Sequence, residues 1–500
     1  MYISLTSIIY FILLVLPILV TLLLIIDINF IIGRAYVKLL ALCTTIFMYI
    51  GSLALWFIFN KATGKFQLVY SIKWLDINGL QLNYSLAVDG LSLFFVILTT
   101  FIFPLCFLAS WFILDSLNNF NFKFYIINLL LLEFFLINAF LTTNLLLFYV
   151  FFESVLIPMM FIIGIWGPSV RKIKANYYFI FYTIVGSALL LFSILVIFLD
   201  FGSLCYINIF NPVLFCLSER LQIFLGFFFF LSFAVKVPMF PFHIWLPEAH
   251  VEAPTVGSVI LAALLLKLGG YGFIRFIPLL PEAYSFYSPL IISLALLSII
   301  YASMSAIRQI DLKKIIAYSS VAHMNLSVVG LFSLNYQGIQ GCLFLLLSHG
   351  LVSSALFFLV GFLYDRYYTK SLKYYGGLVI KMPIFAIFFF FFSIANLAFP
   401  GTSNFISEVL VLIGIAEKNL SVMLIAASGM LFSSVYSIWL FNRLVFGNPK
   451  MLYIFEYQDM TRREYFIILP LAILTILLGI LPNIILESTY FTIKNITSFY

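Results

Sequence analysis

Residues Phe233–Leu268 read FAVKVPMFPFHIWLPEAHVEAPTVGSVILAALLLKL. This segment lies in very apolar surroundings, yet it holds Lys236, Lys267, His243, His250, Glu248 and Glu252. It also carries prolines at Pro238, Pro241, Pro247 and Pro254. A charge at bilayer depth costs about 2.5–3.5 kcal/mol on insertion scales. Proline inside a helix removes a backbone hydrogen bond and kinks the chain. Together these features predict a broken helix lining a wet, protonatable cavity, not a plain lipid-facing span.

Composition sets the frame for that segment. Of 500 residues, 64% are hydrophobic and 9% charged, whereas soluble domains carry about 25% charge. The chain therefore reads as an all-α polytopic membrane protein, and a soluble enzyme is excluded. Barrel strands would alternate apolar and polar residues, but the apolar runs here are continuous over about 20 residues. The net charge of +7 fits lysine and arginine placed in loops on one side of a membrane, with no nucleic-acid partner. Cys43, Cys106, Cys205, Cys216 and Cys342 show no C-x-x-C spacing and no metal-ligand set. Cys205 and Cys216 share one connection and are the pair an oxidising space would join. No arginine- and serine-rich leader is visible, and Leu5–Ile26 reads as a first span instead of a cleaved signal. The sixty phenylalanines follow AT-rich codon usage and suit an organelle genome.

Hydropathy predicts about fourteen spans. They lie near residues 5–26, 37–59, 89–114, 124–141, 144–165, 176–199, 221–245, 255–277, 287–306, 314–332, 339–364, 382–415, 421–446 and 465–481. Seventeen lysines and arginines follow odd-numbered spans, and seven follow even-numbered spans or lie in the tail; Lys236 and Lys267 fall inside the membrane. By the positive-inside rule this asymmetry supports the count and puts both termini on the outer side. The seventh and twelfth spans break at Phe240-Pro241 and Phe399-Pro400, each near one intramembrane charge, Lys236 and Glu408. These breaks fall at corresponding places in two five-span blocks, and an odd block length turns the second copy over. The expected organisation is three spans in 1–123, a first repeat in 124–280, an inverted repeat in 281–446, and a last helix and tail in 447–500.

The buried charges carry the functional reading. Glu153, Lys236, Lys267, His323, His349 and Glu408 lie on separate spans at matching depth. Around one axis they make a lateral chain of protonatable groups, with His243 and His250 flanking the turn at Pro247. Burial disfavours the charged form of each, and neighbouring charge restores it, so such groups can switch. Glu133, in the fourth span, is expected to pair either with another subunit or with a lysine of this chain. Asp311, Lys313 and Lys314 read as a solvated loop cluster, as do Asp365 and Arg366. No nucleotide loop, nucleophile with its base, haem or iron–sulfur set is present.

FESVLIPM, GIWG, the Lys236–Lys267 block with the GGYG that follows, RQIDLKKIIAYSSVAHMN and FPGTSNFISEVLVL resemble the antiporter-like proton-pumping subunits of respiratory complex I. The resemblance runs from about Val88 to Phe446; the first 85 and last 50 residues share only hydropathy. It implies fourteen helices with inverted repeats of helices four to eight and nine to thirteen. It implies that Glu153 pairs with Lys236, that Lys267 is the central lysine and that Glu408 is the charge of helix twelve. His243, His250, His323 and His349 would belong to the polar axis. It further implies proton translocation in the inner mitochondrial membrane. FMN, iron–sulfur clusters, NADH and ubiquinone would be held elsewhere in the complex, and none by this chain. Other membrane-arm subunits and lipids such as cardiolipin would be its partners. A subunit of a related multisubunit cation/proton antiporter is the alternative.

Overall fold

The computed structural model describes residues 5–27, 33–77, 80–206, 217–450, 453–454 and 456–498. The chain is mostly helical. Among the described residues eleven helices are long and apolar enough to cross a membrane. They are α1 (Thr6–Ile26), α2 (Arg34–Ile58), α3 (Gly90–Ala109), α4 (Asn119–Leu141), α5 (Leu145–Trp166) and α6 (Lys172–Phe201). After α7 come α8 (Thr255–Leu279), α9 (Pro281–Arg308), α11 (Tyr336–Tyr367), α13 (Leu420–Val445) and α14 (Arg462–Ile480). Here α7 is Glu219–Lys236, α10 is Leu312–Leu331 and α12 is Pro383–Asn396. α7 and α12 are the near arms of interrupted helices, continued by the short helix Trp245–Glu252 and by Ser403–Ala416. A plan of about fourteen spans is compatible with this arrangement.

The connections sort onto two faces, as the charge count requires. After odd-numbered helices, Ser169 bonds Glu252 at 2.5 Å, Lys314 pairs with Glu248 at 2.7 Å, and Lys370 Nζ donates to Val251 O at 2.5 Å. After even-numbered helices, Thr143 bonds Ser85, Leu145 N–H bonds Leu204 O, and Asn335 bonds Glu417. The basic connections therefore gather at one end of the bundle and the others at the opposite end.

Two segments were not foreseen as regular structure. Residues expected to form only a polar connection make an antiparallel hairpin, β1 (Gln67–Ile77) with β2 (Leu80–Val88), pairing Tyr70 with Leu86 and Lys73 with Asn83. Valine, isoleucine, tyrosine and tryptophan favour such a pleated surface. Behind α14 a further helix, α15 (Asn483–Thr497), packs so closely on α3 that a Cβ on Gly90 would stand 2.4 Å from Ser488 O. At the end of the bundle opposite the basic connections Asp89 caps α3 and accepts from Ser92 N–H. Its carboxylate also takes two bonds from the Arg275 guanidinium, at 2.6 and 2.9 Å. Cys216 lies outside the described residues, so the Cys205–Cys216 expectation has no structural counterpart.

The two breaks satisfy the backbone groups they expose. α7 ends at Lys236, four residues before the expected Phe240-Pro241 point, because Pro238 and Pro241 supply no N–H to continue it. Trp245 Nε1 then donates to Val235 O, Asn325 to Pro238 O, and Phe240 N–H to Ser298 Oγ. At the second break Gly401 takes φ +93°, a conformation natural to glycine. Thr402 Oγ1 donates to Phe399 O. Polar groups of the irregular backbone at both breaks are thus hydrogen-bonded within the protein, as the absence of water from hydrocarbon demands. α8 and α11 are the innermost helices: their apolar windows are wholly buried, whereas those of α6 and α13 are about one-third buried.

Candidate proton-relay site

Lys267 and His349 stand on these two innermost helices. α8 contains one π turn, Leu261–Leu265, in which Leu266 N–H reaches back to Leu261 O. Returning from π to α spacing skips one carbonyl. Lys267 Nζ donates to Ala262 O at 2.5 Å. The same nitrogen lies 2.8 Å from His349 Nδ1, a hydrogen bond whose donor is whichever group holds the proton. The His349 and His323 rings follow, with centroids 5.6 Å apart. His323 Nδ1 stands 3.0 Å from Glu408 Oε1, an ion pair when the imidazole is protonated. Ser348 and Ser407, each next to a member of the line, bring their hydroxyls within 3.2 Å. All four titratable groups are buried. The structure therefore joins Lys267, His349, His323 and Glu408 in one line.

The first half is built differently. Glu153 is half-buried and accepts from Ser187 Oγ at 2.5 Å, while its other oxygen has no partner among the described residues. Lys236 is buried, with Nζ over the Phe152 ring, 4.4 Å from its centroid. Among the described ion pairs none joins Glu153 to Lys236, so the pair implied by resemblance is not closed. The Phe152 ring takes the position of a direct carboxylate contact, as a cation above an aromatic face is attracted to it. α8 approaches this lysine closely: a Cβ on Gly269 would lie 3.0 Å from Lys236 Cβ and 2.8 Å from Val237 Cγ2.

Two histidines leave the line. His250 is fully buried, stacks on Phe357 at 4.7 Å, and has no partner for either ring nitrogen among the described residues. His243 packs between Phe240 and Tyr301 at the edge of the first break. The sequence reading missed the hydroxyls of Ser187, Ser258, Ser348 and Ser407, since serine in a helix carries no conspicuous signal. It also misread Lys313, which is not solvated: the side chain is buried, with Nζ on Ala253 O at 2.8 Å and Ser258 Oγ at 3.2 Å. Packing of α10 against the first break encloses it. Arg366 pairs with Glu464, not with its neighbour Asp365. Glu133 is fully buried with both oxygens unpartnered among the described residues. No three His, Cys, Asp or Glu residues meet as metal ligands among the described residues.

The profile of the transmembrane region of NADH:quinone oxidoreductase and Mrp antiporter proteins matches residues 142–434. NADH-ubiquinone oxidoreductase chain 4 of Chondrus crispus is 52% identical over 462 residues, covering 91% of each chain. The Arabidopsis thaliana protein of the same name is 51% identical over 461 residues, covering 92% of this chain and 91% of its own. The chain belongs to the NADH-ubiquinone oxidoreductase chain 4 family. A solved structure of respiratory complex I from Thermus thermophilus with bound NADH contains a chain of the same shape. The TM-score is 0.86 at 26% identity, over 98% of this chain and 99% of that one. The chain is thus a multi-pass membrane protein, and every residue of the line, together with Glu153, Lys236 and Lys313, falls inside the matched segment.

Proposed function

We propose that this chain is a core membrane subunit of respiratory complex I in the inner mitochondrial membrane. It carries protons across that membrane while NADH oxidation and ubiquinone reduction proceed in other subunits. The observation that carries the reading is the buried line Lys267–His349–His323–Glu408. A lysine amine, two imidazoles and a carboxylate can each hold or release a proton, and imidazole accepts at one nitrogen while releasing from the other. Residues 124–280 and 281–446 act as two inverted halves, and the line spans from the end of the first into the second.

The unclosed Glu153–Lys236 gap supplies the switch. A disturbance from a neighbouring membrane-arm subunit that brings these charges together, or parts them, changes the field at Lys267. Moving one charge against about 150–200 mV requires about 3.5–4.6 kcal/mol. Two unit charges 4 Å apart interact by about 4 kcal/mol at an effective dielectric constant of 20. One charge displacement is therefore of the right size to drive one proton step. FMN, iron–sulfur clusters, NADH and ubiquinone belong to other subunits in this reading, and cardiolipin is a fitting lipid for the basic face.

The test is Lys267→Ala in the assembled complex, reading protons moved per NADH in liposomes. Loss of pumping with intact NADH oxidation by an artificial acceptor is expected. Unchanged pumping overturns the relay. The family profile also covers Mrp antiporters; cation transport by this chain without NADH would favour that second reading.

A further inference from the structure

Lys313 is a buried cation that the relay does not use. It lies on the basic face, at the start of α10, with its ammonium lodged on Ala253 O and Ser258 Oγ where the first break meets α8. No carboxylate lies within ion-pair distance of it among the described residues. Asp365, Glu252 and Lys370 surround it at longer electrostatic range, and the Tyr364 ring lies 5.9 Å from Nζ. Ser258 Oγ in turn donates to His250 O at 3.0 Å. His250 is fully buried with both ring nitrogens unpartnered among the described residues, and it feels the charges of both Lys313 and Lys267. An imidazole thus lies within electrostatic range of both the buried Lys313 and the head of the line.

We propose that Lys313 is an electrostatic plug: its ammonium, when charged, keeps protons on Lys267 from running back through His250 to the basic face. Without the plug, the step balances with no other reactant. Lys267 ammonium gives a proton to one nitrogen of His250, the other nitrogen gives one to water, and Lys267 is left as the amine. A cation at Lys313 raises the barrier to that step by opposing a second positive charge on the ring. Displacement of the ammonium from Ser258 toward Glu252 or Asp365 opens the same path for proton uptake. The inference rests on the relay reading, and Lys313 acts by position, touching no reacting atom.

The experiment uses the intact complex in liposomes under an imposed potassium diffusion potential, without NADH, with an internal pH dye. Wild type and Lys313→Arg hold the gradient. Lys313→Gln, which keeps a donor for Ala253 O but no charge, leaks protons and moves fewer per NADH while oxidising NADH undiminished. Adding His250→Phe to Lys313→Gln closes the leak. A Gln complex as tight as wild type overturns the proposal, as does an Arg complex that leaks equally or a double variant that still leaks. If the Gln complex does not assemble, Ser258→Ala, which unpins the ammonium, is expected to leak, and a tight one overturns the proposal. Failure here is separable from failure of the relay. If Lys267→Ala stops pumping while Lys313→Gln is tight, only the plug falls. If Lys267→Ala pumps normally, the relay falls first.

Discussion

The two interrupted helices hold their charges in opposite ways. Around the second, His323 and Glu408 stand 3.0 Å apart and Lys267 reaches His349 at 2.8 Å, so the polar groups touch. Around the first, Lys236 lies over a phenylalanine ring and Glu153 answers to a serine, so the two charges do not touch. A line that touches at both ends, with the two imidazole rings 5.6 Å apart between them, passes protons with little rearrangement. An open pair stores a field that a small movement can change. The difference assigns conduction to one region and switching to the other.

Breaking the closed region should have the largest effect. His323→Ala removes the partner of Glu408 and the ring beside His349, and protons per NADH should fall to the level left by other subunits, read in liposomes. Next is the approach of α8 to the open region. Gly269→Leu forces a side chain against Val237 and Lys236, and overpacking of this kind costs about 1–3 kcal/mol. A clear drop in coupling with retained assembly, checked on native gels, is expected. Ser187→Ala should act more mildly. It removes the one hydrogen bond described for Glu153, and bonds to charged groups contribute about 1.5–3 kcal/mol when buried. Glu153 is half-exposed within the bundle, so a rate change of a fewfold, not a loss, is expected from NADH-driven pumping.

The smallest effect belongs to a pair outside both regions. Burial alone would push the Asp89 carboxyl up, but the Arg275 guanidinium and Ser92 outweigh it and hold it below its ordinary value. A lowered carboxyl contributes stability that is fully present above the usual carboxylate range and is lost as pH falls through its folded value. Thermal stability of the complex should therefore show no Asp89→Asn-dependent change in slope between pH 8 and about 5. A difference in slope should emerge only below that.

Much of this was legible because a bilayer penalises charge and proline so heavily. Lys236, Lys267, Glu408 and both breaks stood out against their apolar runs, and the loop charges sorted the faces before any coordinates. What the sequence hid depends on packing between distant segments. Serine hydroxyls are common, so nothing marked Ser187 or Ser407 until Glu153 and Ser348 were placed beside them. Lys313 sits next to Asp311 and Lys314 and looked solvated; its burial comes from the fold of the first break over α10. The same break packs His243 against Phe240 and Tyr301 and His250 against Phe357, though the two lie seven residues apart on one segment. Alternation in the hairpin was too short to be separated from an ordinary polar connection.

The most direct measurement is the proton count per NADH of the assembled complex carrying His349→Phe, reconstituted in liposomes. The phenyl ring fills the space between Lys267 and His323 but cannot hold a proton. The account predicts that this chain's share of pumping disappears while electron transfer to an artificial acceptor continues. An unchanged proton count would contradict it.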